Sequence, residues 1–337
     1  MIDLLVVGGG PAGLATAIHA ARAGLEAVVA EPRPGPIDKA CGEGLMPHGA
    51  QALAGLGVPV AGRPLHGIRY LDHRHQAEAR FRGAPGLGVR RTDLHAALAE
   101  RARQLGVRVL PVRVDDVRQD SWSVSAAGLR ARYLAAADGL HSPIRRGLGL
   151  DRPATGPRRH GLRRHFAVTP WSDCVEVHWS PTAEAYVTPL APDLVGVAVL
   201  TSHRGSFEHH LAAFPALLSR LPGVAGGPVR GAGPMRQRVR TRVAGRVLLV
   251  GDAAGYVDAL TGEGLTLGLA GAAALVDCVR ADRPERYERI WRSVTRRHRT
   301  LTHALLWTRG QPALAPFVVP TAAHLPSLFS ALVNRLS

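Results

Sequence analysis

Lysine is nearly missing from this chain. Lys39 is the only one, and arginine supplies the rest of the positive charge behind a formal net charge of +16. With abundant alanine, glycine and proline, that preference reads as the imprint of a GC-rich genome. It explains arginine over lysine but not the charge itself. A surface this positive favours anionic partners: nucleic acid, a membrane face, an acidic carrier protein or a phosphate-bearing ligand. Nucleic acid is set aside, because aromatic residues make up only 5% of the sequence, too few for base-stacking platforms, and no recognition motif is present. Cysteine is also scarce. Cys41, Cys174 and Cys278 are far apart and odd in number, which excludes a disulfide framework and a cysteine-based zinc site and suits a reducing compartment. The pairs His73/His75 and His209/His210 lack a third ligand at metal spacing, so no metal is expected. No apolar run approaches the roughly 18 residues that mark a membrane-spanning helix. The first strand pattern begins at Ile2, with no room for a leader, and the expected location is the cytoplasm.

What is present starts at that strand. Ile2-Asp3-Leu4-Leu5-Val6-Val7 is apolar enough for a buried parallel strand. It breaks into Gly8-Gly9-Gly10-Pro11-Ala12-Gly13, a small-residue helical pattern runs from Leu14 to Ala23, and a second apolar run, 27–30, ends in Glu31. Gly8, Gly10 and Gly13 have G-x-G-x-x-G spacing inside a βαβ unit. Gly8 permits the tight turn, Gly10 lets backbone approach a pyrophosphate, and Gly13 lets helix and strand pack closely. The helix start at Pro11 and Ala12 offers unpaired N–H groups and a positive dipole end to phosphates. Glu31 is placed to accept hydrogen bonds from a ribose diol. The unit predicts dinucleotide binding.

At 337 residues, 46% of them hydrophobic, the chain has room for two domains. The spacing predicts helices from Pro47 to Gly55 or Gly57 and from Arg91 to about Leu105, a strand pair over 65–71 and 76–82, a strand over 107–110 and a meander over 112–133. Short β patterns follow at 161–169, 174–179, 184–190 and 194–201, with helical patterns at 206–221. Another buried strand, 247–250, precedes long helices over 264–280 and from Pro284 to about Arg309. The nucleotide strands are therefore scattered. The reading is a discontinuous nucleotide domain (1–64, 83–150, 241–283), a sheet domain (65–82, 151–240) and a C-terminal helical region (284–337). Arg236, Arg238, Arg240 and Arg242 alternate along a strand pattern, which predicts one shared face: a solvated edge, or a docking patch for an acidic carrier protein. The apolar tail, 310–337, is expected to pack on the parent domain, with contact to a membrane surface as the other reading.

Three motifs in order carry a family resemblance. They are Gly8-x-Gly10-x-x-Gly13 with Glu31-Pro32-Arg33, Asp138-Gly139-x-x-Ser142-x-x-Arg145, and Gly251-Asp252-Ala253-Ala254-Gly255 continuing to Thr261-Gly262-Glu263-Gly264. The chain resembles the flavoprotein superfamily that contains the p-hydroxybenzoate-hydroxylase-like FAD monooxygenases and the geranylgeranyl-reductase-like enzymes. The resemblance implies an α/β protein: a Rossmann-like, glutathione-reductase-type FAD domain, an inserted, mainly antiparallel substrate sheet and C-terminal helices. It places FAD on Gly8, Gly10, Pro11, Ala12, Gly13, Glu31, Arg33, Arg91, Asp138, Gly251 and Asp252, with Gly262, Glu263 and Gly264 at the pyrimidine end of the flavin. Asp252, at the C-terminal end of a buried strand, is where open α/β sheets place ligands. Asp138 also reads as a simple helix cap. Ala259 stands where many relatives have proline.

Cys41-Gly42-Glu43-Gly44 resembles the C-G-x-G segment of the geranylgeranyl-reductase-like branch, which puts Cys41 and Gly42 beside the flavin ring. Lys39 is positioned to lower the Cys41 pKa; the plainer reading is a small buried residue in a tight loop. Glu43 is a candidate proton donor or a turn residue. His165, His178 and Tyr186, on β patterns of the substrate sheet, are candidate substrate contacts. Resemblance to a branch does not select a reaction. The first expectation is an NAD(P)H-dependent monooxygenase acting on a hydrophobic or aromatic small molecule of secondary metabolism. The second is geranylgeranyl-reductase-like reduction of carbon–carbon double bonds, and the third a non-catalytic flavin-bearing binding or redox-sensing protein.

Overall fold

The computed structural model describes residues 1–221 and 226–336. Its centre is the strand Ile2–Val7, whose Leu4, Leu5 and Val6 are fully buried. A strand with no polar face belongs in the middle of a sheet covered on both sides. It pairs in parallel with Ala27–Ala30 on one side and Leu129–Ala136 on the other. Arg108–Leu110 and Val247–Leu249 extend the parallel run in each direction. Helix Pro11–Arg22 makes the first crossover, with Pro11 in the first turn, where a missing N–H breaks no helical bond. Val117–Gln119 and Val124–Ala126 join Leu129–Ala136 as the antiparallel meander. Helix Gly264–Arg280 packs on this layer, and Tyr287 and Trp291 of helix Arg286–Arg309 enter the same core.

The second sheet has seven strands, in the order Arg230–Ala232, His160–Ala167, Leu194–Thr201, Ala183–Ala191, Cys174–Trp179, Gly67–Leu71, Gln76–Arg80. Its neighbours are antiparallel except Gly67–Leu71 and Cys174–Trp179, which run parallel. Alternation along the strands gives it two apolar faces. One packs on helices Phe207–Leu211 and Pro215–Leu218 through Phe166, Val187, Val197 and Phe207. The other carries Val177, Trp179, Tyr186 and Leu200 toward Leu140 and Leu260 of the parallel-sheet half. Helices Val318–His324 and Pro326–Leu336 close the edge, where Phe329 and Val333 cover Ala77 and Ala79.

The arginine alternation does not make one face. Only Arg238–Val239 is a strand, paired with Asp151–Arg152. Arg236 and Arg238 donate to the carbonyls of Thr155 and Pro153, whereas Arg242 turns inward. It is buried over the Trp291 ring at 3.9 Å and bonded to Glu288. Alternation fixes a face only while the chain stays extended, and here the strand stops after two residues.

Candidate functional site

The glycine loop is held from below. Gly8 has φ +106°, and a Cβ there would meet the Ala137 carbonyl oxygen at 2.4 Å; at Gly13 it would meet the Gly8 oxygen at 1.8 Å. Strand, loop and helix therefore close on one another only with glycine at both positions. His95, on helix Arg91–Gln104, lies 2.9 Å from the Gly9 carbonyl through Nε2 and fixes the loop from outside. Sequence reasoning missed His95, which carries no motif. Glu31 accepts the Gly9 N–H at 2.8 Å, the Arg33 N–H at 3.0 Å and both arms of the Arg33 guanidinium at 2.8 and 2.9 Å. Burial pushes its carboxyl up, but these bonds outweigh it and hold the pKa below the usual range. All the acceptor positions of the carboxylate are occupied, so a ribose diol reaches Glu31 only as the exposed Arg33 side chain lets go.

Arg91 opens its helix inside the cavity and is 7% exposed. Its Nη2 lies 3.9 Å from where a Cβ on Gly10 would stand, and its Nη1 is buried without a partner. Burial lowers its pKa. An unpaired buried guanidinium beside the glycine loop is costly by itself; with the helix N-terminus opposite, it is a ready seat for a pyrophosphate.

The second motif serves the third. Asp138 accepts the Ile144 N–H at 3.1 Å, at the start of helix Pro143–Gly147, while its Oδ1 is buried and unpartnered. Burial raises its pKa. Ser142 is the cap itself, accepting the Arg145 N–H at 2.9 Å; Asp138 adds a second acceptor at the helix start and still has one oxygen free. Arg145, 2% exposed, donates to the carbonyls of Leu140 and Ala253 and to Gln237 Oε1, and also bonds Asp151. This arginine clamps the turn Gly251–Ala254, which carries Asp252. Lys39 lies 3.3 Å from Asp252 Oδ2.

One cavity of about 520 Å³ joins these parts. It runs along Gly10, Pro11, Ala12, Arg33, Arg91, Asp138, Gly251 and Asp252, past Cys41, Gly42, Gly262 and Gly264, to an apolar end at Leu162, Tyr186, Leu200 and Met235. The loop at 41–44 is pinned by the substrate sheet: Thr188 Oγ1 donates to the Gly42 carbonyl at 2.7 Å. Tyr186 donates to the Leu260 carbonyl at 2.9 Å, and Asp258 accepts the Leu260 N–H at 3.1 Å. The loop around Ala259 is thereby tethered without a proline. Burial pushes the Cys41 thiol up, against the opposing Arg91 charge. The expectation that Lys39 lowers it fails, because Lys39 is engaged with Asp252.

Four expectations shift. Glu43 is 2% exposed and adopts φ 58°. Its carboxylate accepts the Arg91 N–H at 2.9 Å and lies 2.7 Å from His165 Nε2. It joins loop, cofactor helix and sheet and lines the cavity beside Cys41; the strained backbone is held by those partners. His165 is spent on Glu43 and Arg163 and is absent from the cavity wall. His178 faces the other way, bonded to Glu176 and edge-on to Phe214. Strand parity had left its direction open. Of the three candidate substrate contacts, Tyr186 alone lines the cavity. Glu263 also turns away, into a separate 40 Å³ cavity with His298 and Thr302. Its position before Gly264 was legible, but the side-chain direction was not.

Residues 1–215 match the family model described as FAD binding domain. The chain is 30% identical over 300 residues to the menaquinone reductase of Mycobacterium tuberculosis, covering 79% of this chain and 74% of that protein. It is 29% identical to the digeranylgeranylglycerophospholipid reductase 1 of Methanothermobacter thermautotrophicus, covering 86% and 82%. It is 28% identical to the ubiquinone hydroxylase UbiL of Rhodospirillum rubrum, covering 82% and 71%. A flavoprotein/dehydrogenase structure from Cytophaga hutchinsonii superposes with a TM-score of 0.85 at 18% identity, over 99% of this chain and 93% of that one. The glycine cradle, the unpartnered Arg91 nitrogen and the Asp252 carboxylate, with only its Oδ2 engaged by Lys39, fit FAD. The chain belongs to the FAD binding domain family, and it is an FAD-dependent oxidoreductase.

Proposed function

We propose that this chain reduces a carbon–carbon double bond in a hydrophobic, isoprenoid-type small molecule. One observation carries the reading. Cys41, in a loop resembling that of the reductase branch, lines the single cavity shared by the dinucleotide-holding residues and the apolar end of the substrate sheet. Two of the relatives named above are reductases of prenylated molecules, and this moves reduction ahead of the oxygenation that the motifs alone put first.

Bound FAD supplies hydride transfer to carbon; the chain does the rest. With FAD bound, the glycine-loop N–H groups and Arg91 would hold the pyrophosphate, Glu31 and Arg33 the adenosine end, and Asp252 the ribityl hydroxyls. The backbone at Gly262 and Gly264, opening helix Gly264–Arg280, would stabilise negative charge on a flavin seated there. Leu162, Val175, Leu200 and Met235 exclude water and seat an alkyl chain. Saturating a double bond also requires a proton. Burial keeps Cys41 as a thiol, so its Sγ–H is a proton source at the cavity wall. NAD(P)H is the proposed electron donor.

The test is anaerobic turnover of the flavin-loaded chain, with NADPH and a prenylated quinone, read by product mass. A product gaining two hydrogens, lost in Cys41→Ala while FAD is retained, is the expected result. A product that forms only in air and gains one oxygen overturns the reading in favour of hydroxylation, which the resemblance to the ubiquinone hydroxylase favours.

A further inference from the structure

From Arg289 to the end of the sequence the chain carries seven arginines and no aspartate or glutamate; Arg292 and Arg309 pair with Glu288 and Glu184 from outside the stretch. Trp307, Leu314, Phe317, Leu325, Leu328 and Leu332 are exposed on the same stretch, Trp307 and Phe317 by 62% and 61%. Its inward side is already used: Val319 joins the cluster of Tyr186, Leu200 and Met235, and Phe329 and Val333 cover the sheet edge. The outward apolar side chains are therefore not part of the protein's own core. Along helix Arg286–Arg309, Arg296 precedes Trp307 by eleven residues and Arg289 precedes it by eighteen, near-whole numbers of turns that put all three on one face. Both arginines are exposed.

We infer that this C-terminal segment docks the protein on an anionic lipid bilayer. Exposed apolar side chains on a stretch that also exposes arginines unpaired among the described residues, Arg289 and Arg296, are the pattern of a helix lying in the interface plane, the apolar groups entering the acyl boundary and the arginines meeting anionic headgroups. No single helix among the described residues is long and apolar enough to cross a membrane. Ala315–His324 and Pro326–Arg335 pass that test only together and are bent by 103°, a geometry that lies along a surface. Val318 and Val319 set the inner side of this face against the apolar cluster that reaches the cavity. Docking therefore presents the hydrophobic end of the site to the bilayer. The inference does not depend on the reaction proposed above, and its test reads binding rather than turnover.

The flavin-loaded full chain is sedimented with phosphatidylcholine vesicles, with and without phosphatidylglycerol. Binding to the phosphatidylglycerol vesicles that falls as salt rises is expected. The variant W307S/F317S/L328S is expected to bind at least roughly tenfold more weakly. R289E/R296E, which removes no apolar contact, is expected to bind more weakly by a similar factor. Three results overturn the inference: no sedimentation of the native chain with these vesicles, binding unchanged in both variants, or a self-associated species that the triple variant disperses without any lipid binding.

Discussion

Replacing Glu263 by glutamine is expected to stabilise this protein at neutral pH and leave it unchanged in acid. Glu263 stands immediately before helix Gly264–Arg280 and is 3% exposed. Its Oε2 has no hydrogen-bond partner, and the nearest cation candidate, His298 Nδ1, is 3.8 Å away. Burial also lowers the His298 pKa, so the imidazole is neutral and offers no charge to pair. Burial pushes the Glu263 carboxyl up to about 8 from 4.5. The folded protein therefore keeps the proton through neutrality, while the unfolded chain releases it above its ordinary value. The folded state binds more protons across that window, so stability is full in acid and falls as pH rises toward 8. Each pH unit inside the window removes about 1.4 kcal/mol. Between about pH 5 and about pH 7.5 the loss is about 3 kcal/mol. Glutamine copies the neutral acid and does not titrate. Urea unfolding of the flavin-loaded wild type and E263Q, followed by circular dichroism, should show the variant ahead by less than about 1 kcal/mol near pH 5. The lead should grow to about 4 kcal/mol near pH 7.5. An offset that stays constant with pH would refute the reasoning, because it would mean that the carboxylate is ionised in the fold and paired with a protonated His298.

Gly13→Ala should abolish FAD retention, because its Cβ would stand 1.8 Å from the Gly8 oxygen; absorbance of the purified protein reads this directly, and a fully yellow G13A protein would sink the claim. Arg91→Met should weaken FAD binding by about 2 kcal/mol, the scale of a hydrogen bond to a charged group, while leaving the thermal midpoint of the apoprotein unchanged or higher, since an unpaired buried cation is removed. Arg145→Met should destabilise by about 3–5 kcal/mol, because it leaves the carbonyls of Leu140 and Ala253 and the Gln237 amide oxygen without their donor; a loss below 1 kcal/mol in urea unfolding would contradict the clamp. Glu43→Gln should keep FAD but lower stability, since the amide accepts from only one of its two present partners, and unchanged stability would argue against that joining role.

The parallel sheet was legible because its signal is one-dimensional. A run of apolar residues broken by a glycine or an acidic residue needs no partner to be recognised, and Ile2–Val7, Ala27–Ala30 and Val247–Leu249 each have that form. The three motifs were legible for the same reason: each is a turn at a strand end, read within a few residues. Side-chain direction was not. Glu43 and His165 are 122 positions apart and meet at 2.7 Å, a contact that no local pattern encodes. His178 and Tyr186 both lie on β patterns of one sheet, yet they face opposite sides, because the register between Cys174–Trp179 and Ala183–Ala191 sets Tyr186 against Val177 and His178 against Ala185. The arginine alternation failed where the chain left the strand, and there burial against Trp291 decided the fate of Arg242.

The sequence by itself determined the family, the cofactor class and where the main strands fall along the chain, since each of these rests on spacing along the chain. Only the tertiary structure decided which polar groups face the cavity. It joined Glu43 to Arg91 and His165 at the cavity wall, turned Glu263 into a separate buried pocket, gave Arg145 its clamp, and left Arg91 unpaired beside the glycine loop. The physical reason is that burial and partnership, which set whether a carboxyl, a thiol or a guanidinium is charged and free to act, are properties of neighbours brought together from distant parts of the chain.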